Sequence, residues 1–328
     1  MFAFIVRRLL VSIPVLLLAS FIVYGLVALA GDPLARFRTH QPPYSKSFFA
    51  EQRRLMHLDK PLWWRWAHWL GGAVHGDFGK DINGSEVAPQ LWSRLAVTVR
   101  MVLISIILAF IIAVIVGVYS AVKQYSIGDY TATFLGFLFL SMPVFWLAAL
   151  LKEIGAIKIN NWLGGRYVYT IGECDPQYGN SCWLHHFGNW AGHVILPTIT
   201  LAAISFAGWS RYQRASMLDV LNSDYVRLAR AKGLPNRRVM VRHALRTALI
   251  PLVTVVAIDF TTVVAGAVIT ENVFSWNGMG RFLVNSGIQA QDVNVTLAWM
   301  IVVSVVVVLF NMIADILYAF LDPRIRYA

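Results

Sequence analysis

The sequence predicts an all-α integral membrane protein with six transmembrane helices. Hydrophobic residues make up 58% of its 328 residues and charged residues only 14%, whereas soluble domains carry about 25% charged residues. Six apolar segments approach the roughly 20 residues that an α-helix needs to cross the hydrocarbon core of a bilayer. They are residues 9–30, 95–121, 131–151, 194–210, 248–269 and 297–321.

Each apolar segment is interpreted as one span, in order along the chain. The first, 9–30, ends in Ala-Leu-Ala like a signal-peptide cleavage site, but its apolar run is too long for a signal peptide, so we expect a retained span. Residues 31–94 then form an extracytoplasmic loop or subdomain, and residues 95–328 form the core. Kinks are expected where proline lies in or near a span, at Pro14, Pro143, Pro197 and Pro251.

The distribution of Lys and Arg predicts that both termini are cytoplasmic. An even number of spans places both ends on one side of the membrane. That side would carry Arg7, Arg8, Lys123, nine basic residues between Arg211 and Arg246, Arg324 and Arg326. Because short loops rich in Lys and Arg stay inside, loop 211–247 is cytoplasmic and loop 152–193 lies outside. The net charge of +11 then sets topology and meets anionic lipid headgroups rather than nucleic acid.

The two cysteines, Cys174 and Cys182, both fall in loop 152–193. A pair this close on the oxidising side of the membrane favours a disulfide. The alternatives are two free thiols, or a zinc site that includes His185 and His186, although the spacing is not a standard zinc pattern.

The common catalytic motifs are missing from the sequence. There is no P-loop, no H-E-x-x-H and no G-x-S-x-G. The nearest P-loop candidate, GDFGKD at 76–81, lacks the first glycine and the final Ser or Thr. Nothing therefore predicts catalysis or ATP binding on this chain, and a membrane enzyme built on the cysteines and histidines has no motif support.

Polar residues within the apolar segments are candidate functional groups, because they are costly in hydrocarbon. Asp259 lies about eleven residues into the fifth segment. It either lines a transport pathway or bonds to a neighbouring helix. Asn311 and Asp315 lie one turn apart in the last segment and share a face, which favours helix–helix contacts.

The stretch DYVRLARAKGL at 224–234 predicts a short cytoplasmic helix. Asn222 or Ser223 is expected at its N-cap, with Asp224 in the favourable first turn. Gly233 ends the helix, and Pro235 opens the next one.

One face of this helix is expected to be apolar, with Tyr225, Leu228 and Ala229 at i, i+3 and i+4. Arg227 and Arg230 lie beside that face. A helix of about ten residues is marginal alone in water. We therefore expect it to pack on lipid headgroups or on a partner protein.

The sequence around this helix, NSDYVRLARAKGLPNRRVMVRHALRTALIPLVT at 222–254, resembles the cytoplasmic coupling loop of ABC importer permeases. The resemblance is specifically to the B-type subunit of oligopeptide and dipeptide permeases. Further stretches resemble that family in its order: GDP at 31–33, LDKPLWWRWAHWL at 58–70, GDFGK at 76–80, SMPVFW at 141–146, LPTITLA at 196–202, SRYQRASMLDVL at 210–221, ENVFSWNGMGRFL at 271–283 and DPRIRY at 322–327.

The resemblance implies the architecture of a type I ABC importer permease in the bacterial inner membrane. Such a subunit has six spans and pairs with a second homologous permease. Two ATP-binding subunits hold ATP and Mg²⁺ in the cytoplasm, and an extracytoplasmic peptide-binding protein delivers the substrate. The permease itself carries no cofactor. Oligo- or dipeptides are the implied substrates, although relatives also carry nickel complexes, glutathione or oligosaccharides.

The resemblance also implies that the helix at 224–234 docks on the ATPase. The implied docking residues are Asp224, Tyr225, Arg227, Leu228, Ala229, Arg230, Lys232 and Gly233. Arg227, Leu228 and Ala229 stand where the wider superfamily has a Glu-Ala-Ala triplet. Because the acid is absent, Arg227 or Arg230 is expected to meet an acidic groove. The alternative class is an ion-coupled secondary transporter or channel that uses Asp259 and Asp315 and has no ATPase partner.

Overall fold

The computed structural model describes the backbone of residues 2–30, 34–38, 44–55 and 57–321. Within these ranges there are helices and turns but no β-strand. The α-helices are α1 Phe2–Ala30, α2 Ala35–Arg38, α3 Lys46–Leu55, α4 Leu62–Val74, α5 Val87–Val122, α6 Ile127–Ser141, α7 Val144–Leu150, α8 Ala156–Leu163, α9 Cys182–His185, α10 Phe187–Leu221, α11 Asp224–Ala231, α12 Asn236–Arg238, α13 Arg246–Val273, α14 Met279–Phe282 and α15 Val293–Leu321. Residues Leu151–Gly155, Val239–Leu245 and Leu283–Gln289 form π-helical turns, and Pro176–Ser181 form a 3₁₀ helix.

Five of the described helices are long and apolar enough to cross a membrane. They are Leu10–Leu29 within α1, α5, α10, the continuous helix Asn236–Val273, and Val293–Ile313 within α15. The pair formed by α6 and Val144–Leu163 makes a sixth crossing if it is counted as one span. The prediction of an all-α membrane protein is therefore confirmed. The side on which the termini lie stays a prediction.

The third predicted span, 131–151, is broken rather than continuous. Its two limbs, α6 and Val144–Leu163, meet at an angle of 108°. Met142 between them has an extended backbone, with φ −83° and ψ 127°, because a residue before proline is pushed out of the helical region. Pro143 follows at the N-cap of α7. By contrast, the helices continue through Pro14, Pro197 and Pro251.

The described chain divides into two compact units, of which the first comprises Met1–Val97 and Gly278–Val308. In this unit α4 packs on α1, where Trp66 Nε1 donates to Ser20 Oγ over 3.1 Å and the Trp66 ring meets Phe21 edge to face. Trp63, on the same helix, is 62% exposed. The core of the unit is an apolar cluster of Phe78, Val87, Leu91, Met279, Phe282, Val295, Ala298 and Val302.

The second unit comprises Thr98–Asn277 and Leu309–Ala328. Here α10 packs along α13 and α6. One apolar cluster lies where α10 meets α11 and the start of α13, and it contains Ala121, Met217, Val226, Ala229, Val239, Ala244 and Ala248. A second cluster holds the region after the bend and contains Ala148, Ala156, Val168, Leu196 and Phe274. The first cluster positions the candidate site.

Some residues singled out from the sequence lie outside the part of the chain that the structure describes. These are the stretches at 31–33 and 322–327, and the side chains of Arg7, Arg8 and Asp315.

Candidate functional site

Helix α11 begins at the end of α10, after a turn of two residues. Ser223 occupies the N-cap with an extended backbone, φ −71° and ψ 151°. Its carbonyl accepts the amide hydrogens of Val226 and Arg227. Its hydroxyl donates to the carbonyl of Val220 over 2.6 Å and makes no capping bond to α11. The carboxylate of Asp224 therefore supplies the favourable negative charge in the first turn.

The other end of α11 is closed by Gly233. This glycine has φ +74°, in the left-handed region that residues with a Cβ avoid. The amide of Gly233 donates to the carbonyl of Arg230, and the amide of Leu234 donates to that of Ala229, which together make a Schellman cap. The helix ends at Ala231, two residues before the glycine that was predicted to end it.

We expect Gly233→Ala to loosen this cap, because a Cβ in the left-handed region costs about 1 kcal/mol. We therefore expect the affinity of the chain for a protein that docks on α11 to fall. The measurement is the amount of that partner that co-purifies with the chain from mild detergent. Gly188→Ala is the matched control. Gly188 lies in helix α10, with nothing within 4 Å of an added Cβ, so its replacement should leave co-purification unchanged.

The inner face of α11 is built from Val226 and Ala229. Both are buried, and they pack in the cluster with Met217, Val239 and Ala248. Ala229 was predicted to share the outer face with Tyr225 and Leu228, and that prediction is wrong, because Ala229 is buried. Val226 lies three residues before Ala229, so the two side chains share one face of α11, and this is the face that packs inward.

The outer face of α11 carries two apolar side chains in a basic surround. Tyr225 is 44% exposed and Leu228 is 56% exposed. The exposed cations on α11 and on the chain that follows it are Arg227, Arg230, Lys232, Arg237, Arg238, Arg242 and Arg246. Asp224 is the one acid in the sequence between 222 and 254. We call Tyr225, Leu228, Arg227 and Arg230 the docking face, after the docking role that is predicted for them. That role stays a prediction, and the chemistry of the four side chains suits a partner surface with an apolar hollow and acidic margins.

The helix that follows α11 in sequence begins shortly after Gly233 and runs through the second unit. Pro235 is the N-cap of α12, and the chain then runs as one helix from Asn236 to Val273. Twelve residues after Asn236, near the start of α13, the carbonyl of Ala248 accepts a hydrogen bond of 3.0 Å from the hydroxyl of Ser216 on α10. The docking face therefore rests on the ends of two long helices rather than on a loose loop.

Asp259 is half-buried in α13. Its Oδ2 accepts a hydrogen bond of 2.8 Å from Nε1 of Trp209 on α10, and Trp209 itself is buried. The structure thus contains the helix–helix bond that was one of the two sequence-based interpretations. Asn311 is half-buried in α15. The roles of Asp259 in a pathway and of Asn311 and Asp315 in helix contacts stay predictions.

The region 152–193 is held together by one disulfide and by polar contacts. Cys174 and Cys182 form a disulfide, with their Cα atoms 6.3 Å apart. Next to the disulfide, Oε1 of Glu173 accepts a bond of 2.9 Å from the Arg100 guanidinium on α5. Burial raises the pKa of the Glu173 carboxyl, and the charge of Arg100 opposes that shift. Among the described residues there is no cluster of His, Cys, Asp and Glu that could hold a metal ion.

Two contributors to the candidate residues described above, Val226 and Trp209, were not predicted from the sequence. The role of Val226 could have been predicted, because an apolar residue three positions before Ala229 defines a second apolar face of α11. The role of Trp209 could not have been predicted, because its hydrogen-bond partner Asp259 is fifty residues away in sequence.

Comparison with known proteins agrees with this architecture. A family model described as "Binding-protein-dependent transport system inner membrane component" matches residues 113–327. The chain is 39% identical over 323 residues to the oligopeptide transport system permease protein OppB of Mycobacterium tuberculosis, covering 98% of each chain.

Two further relatives match along the whole chain. The oligopeptide transport system permease protein AppB of Bacillus subtilis is 37% identical over 332 residues, covering 100% of each chain. The dipeptide transport system permease protein DppB of Escherichia coli K12 is 35% identical over 342 residues, covering 100% of this chain and 99% of the relative. The chain therefore belongs to the family of inner membrane components of binding-protein-dependent transport systems.

Proposed function

We propose that this chain is a permease subunit of an ATP-driven importer that moves oligo- or dipeptides into the cytoplasm. Support for a peptide substrate comes from the full-length relatives, whose names specify oligopeptide and dipeptide transport. Support for transport comes from the family and from the five or six helices able to cross a membrane.

The docking face of α11 carries the proposal that energy is coupled through this helix. Its inner residues, Val226 and Ala229, fix it to the ends of α10 and α13, while Tyr225 and Leu228 stay exposed. A force applied to the docking face would thus be passed to two long helices. An exposed tyrosine with flanking arginines is typical of a protein interface, because Tyr and Arg are enriched among the residues that contribute most of the affinity.

The proposed partners follow from what the chain itself lacks. Its sequence has no P-loop, so ATP and Mg²⁺ would be held by two separate ATP-binding subunits. A second, homologous permease would complete the membrane part, and an extracytoplasmic binding protein would deliver the peptide. The basic docking face would lie in the cytoplasm, as the positive-inside rule predicts.

The experiment that tests this function is a pull-down of the tagged native chain from mild detergent, followed by mass spectrometry. We expect a second permease and P-loop ATPases to co-purify, and ATP to drive uptake of labelled peptides into vesicles that contain the complex. A chain that purifies alone, under conditions that preserve other membrane complexes, would contradict the proposal.

Asp259→Asn separates the two roles considered for Asp259. An asparagine Oδ1 still accepts the hydrogen bond from Trp209, so we expect the thermal stability of the complex to change little. The loss of the negative charge should lower peptide uptake if the carboxylate lines the pathway. The measurement is uptake into vesicles beside thermal unfolding of the same preparation. Unchanged uptake would leave only the structural bond to Trp209.

A further inference from the structure

An ion pair between Asp129 and Arg214 joins α6 to α10, within the second unit. Nε of Arg214 donates to Oδ1 of Asp129 and Nη2 donates to Oδ2, each over 2.9 Å. The two bonds run in parallel, which fixes orientation as well as distance. The Asp129 side chain is only 4% exposed, and that of Arg214 is 28% exposed. The partners are 85 residues apart in sequence.

Asp129 is held in place from its own side as well. It lies in the first turn of α6, where its amide donates to Oγ of the N-cap residue Ser126. Its Oδ2 also accepts the amide hydrogen of Tyr125 over 3.0 Å. The carboxylate thus connects the beginning of α6 to the shaft of α10.

A buried ion pair of this kind is poor support for stability alone. Removing two charges from water is costly, and replacing such a pair by neutral residues is often neutral or stabilising. What a bidentate pair adds is a defined geometry between the two elements that carry it. The pair therefore has the properties of a positioning device.

The position of Arg214 shows which movement the pair would transmit. It lies seven residues before Leu221, the last residue of α10, which is about 10 Å along the helix axis at 1.5 Å per residue. Between them, Met217 packs in the cluster with Val226 and Ala229 of α11. Ser216, two residues after Arg214, bonds to Ala248 of α13. The end of α10, α11 and the start of α13 thus pack together. The ion pair adds a link of fixed geometry to the side-chain packing that already joins α6 to α10.

We propose that Asp129 and Arg214 are positioning residues that transmit movement of the docking face to α6, the first limb of the bent third span. This inference rests on the proposed function, because it concerns how the ATPase drives the membrane helices. When α11 moves, α10 moves with it, and the fork between Arg214 and Asp129 makes α6 follow.

The test is the double variant Asp129→Asn with Arg214→Met in the complete transport complex. It removes both charges together and leaves neither one buried alone, and the asparagine Oδ1 still accepts from Tyr125. The control is Glu51→Gln with Arg54→Met, which neutralises an ion pair whose side chains are 54% and 81% exposed. Uptake of a radiolabelled tripeptide, ATP hydrolysis and co-purification of the ATPases are measured for each.

We expect the Asp129/Arg214 variant to assemble and hydrolyse ATP like the native complex. Its uptake per ATP hydrolysed should fall about tenfold, within the range typical of coupling between sites. The control should match the native complex in all three measurements. Arg214→Lys is a second variant that keeps both charges but cannot make two parallel bonds, and its uptake per ATP should fall by less.

A distance measurement separates transmission from simple stability. Spin labels at Phe134 on α6 and Asp219 on α10, both exposed, report the separation of the two helices. In the native complex we expect the same distance without nucleotide and in the ATP-trapped state. In the double variant the distance should differ between the two states.

Two outcomes would overturn the proposal, and they differ from each other. A double variant with native uptake per ATP, in a native complex that transports, would contradict the role of the ion pair alone. A native chain that shows no ATP-dependent uptake would contradict the proposed function and this inference together.

Discussion

Leu228→Asp is expected to abolish ATP-driven uptake. Leu228 is more exposed than Tyr225, the other large apolar side chain on the outer face of α11, at 56% against 44%. An aspartate would place a charge where an apolar hollow is expected. Loss of a central interface residue costs about 2 kcal/mol or more, which corresponds to roughly a 30-fold weaker association. Co-purification of the ATPases should be lost together with uptake, while the chain itself still folds, because Leu228 contributes nothing to the buried cluster.

The control for this prediction is Leu184→Asp. Leu184 is 60% exposed but lies in the region 152–193, which is predicted on the opposite side of the membrane. The ATPases should co-purify with this variant as with the native chain. If Leu228→Asp retained both its ATPases and its uptake, the docking face would have been assigned wrongly.

Val226→Asp is expected to have an equally large effect through a different cause. Val226 has no exposed surface and packs in the cluster below α11. A carboxylate buried there without a partner would cost about 3–5 kcal/mol, so α11 should detach from α10 and α13. The residues of the docking face would be unchanged, but the helix that carries them would no longer be packed on α10 and α13. Uptake should fall to background and thermal stability should decrease.

The nearly isosteric variant Val226→Thr is expected to show a smaller loss of uptake and stability than Val226→Asp. Its hydroxyl is neutral and costs about 1–3 kcal/mol when it is buried without a partner. Both uptake and thermal stability should therefore lie between those of the native chain and of Val226→Asp. Equal stability of all three proteins would mean that the inner face of α11 does not hold the helix.

Much of the architecture could be predicted because the membrane restricts what a sequence can do. A segment that crosses hydrocarbon must satisfy its own backbone, so apolar length alone indicates a helix. The described helices α5 and α10 nevertheless begin before and end after the apolar segments, because polar flanks remain helical outside the apolar core. The break at Met142 was not predicted, because the sequence does not show whether a helix kinks at Pro143 or ends there and a new helix begins.

Within the candidate site, local features were more predictable than contacts over long distances. Gly233 was identified as the end of α11 because its need for a left-handed backbone is a property of one residue. The face of α11 was misassigned at Ala229, because the choice between two apolar faces depends on residues from α10 and α13. The pairing of Asp129 with Arg214 has no local signal, since it is created by the packing of α6 on α10.

The most direct test of the account is a photo-crosslink from the docking face. A photoreactive phenylalanine analogue replaces Tyr225, which is 44% exposed on α11, and the native complex is irradiated in membranes. We predict a crosslink to a P-loop ATPase, at an apolar hollow with acidic margins, identified by mass spectrometry. A crosslink to lipid alone would show that the helix lies on the membrane surface and would contradict coupling through this face.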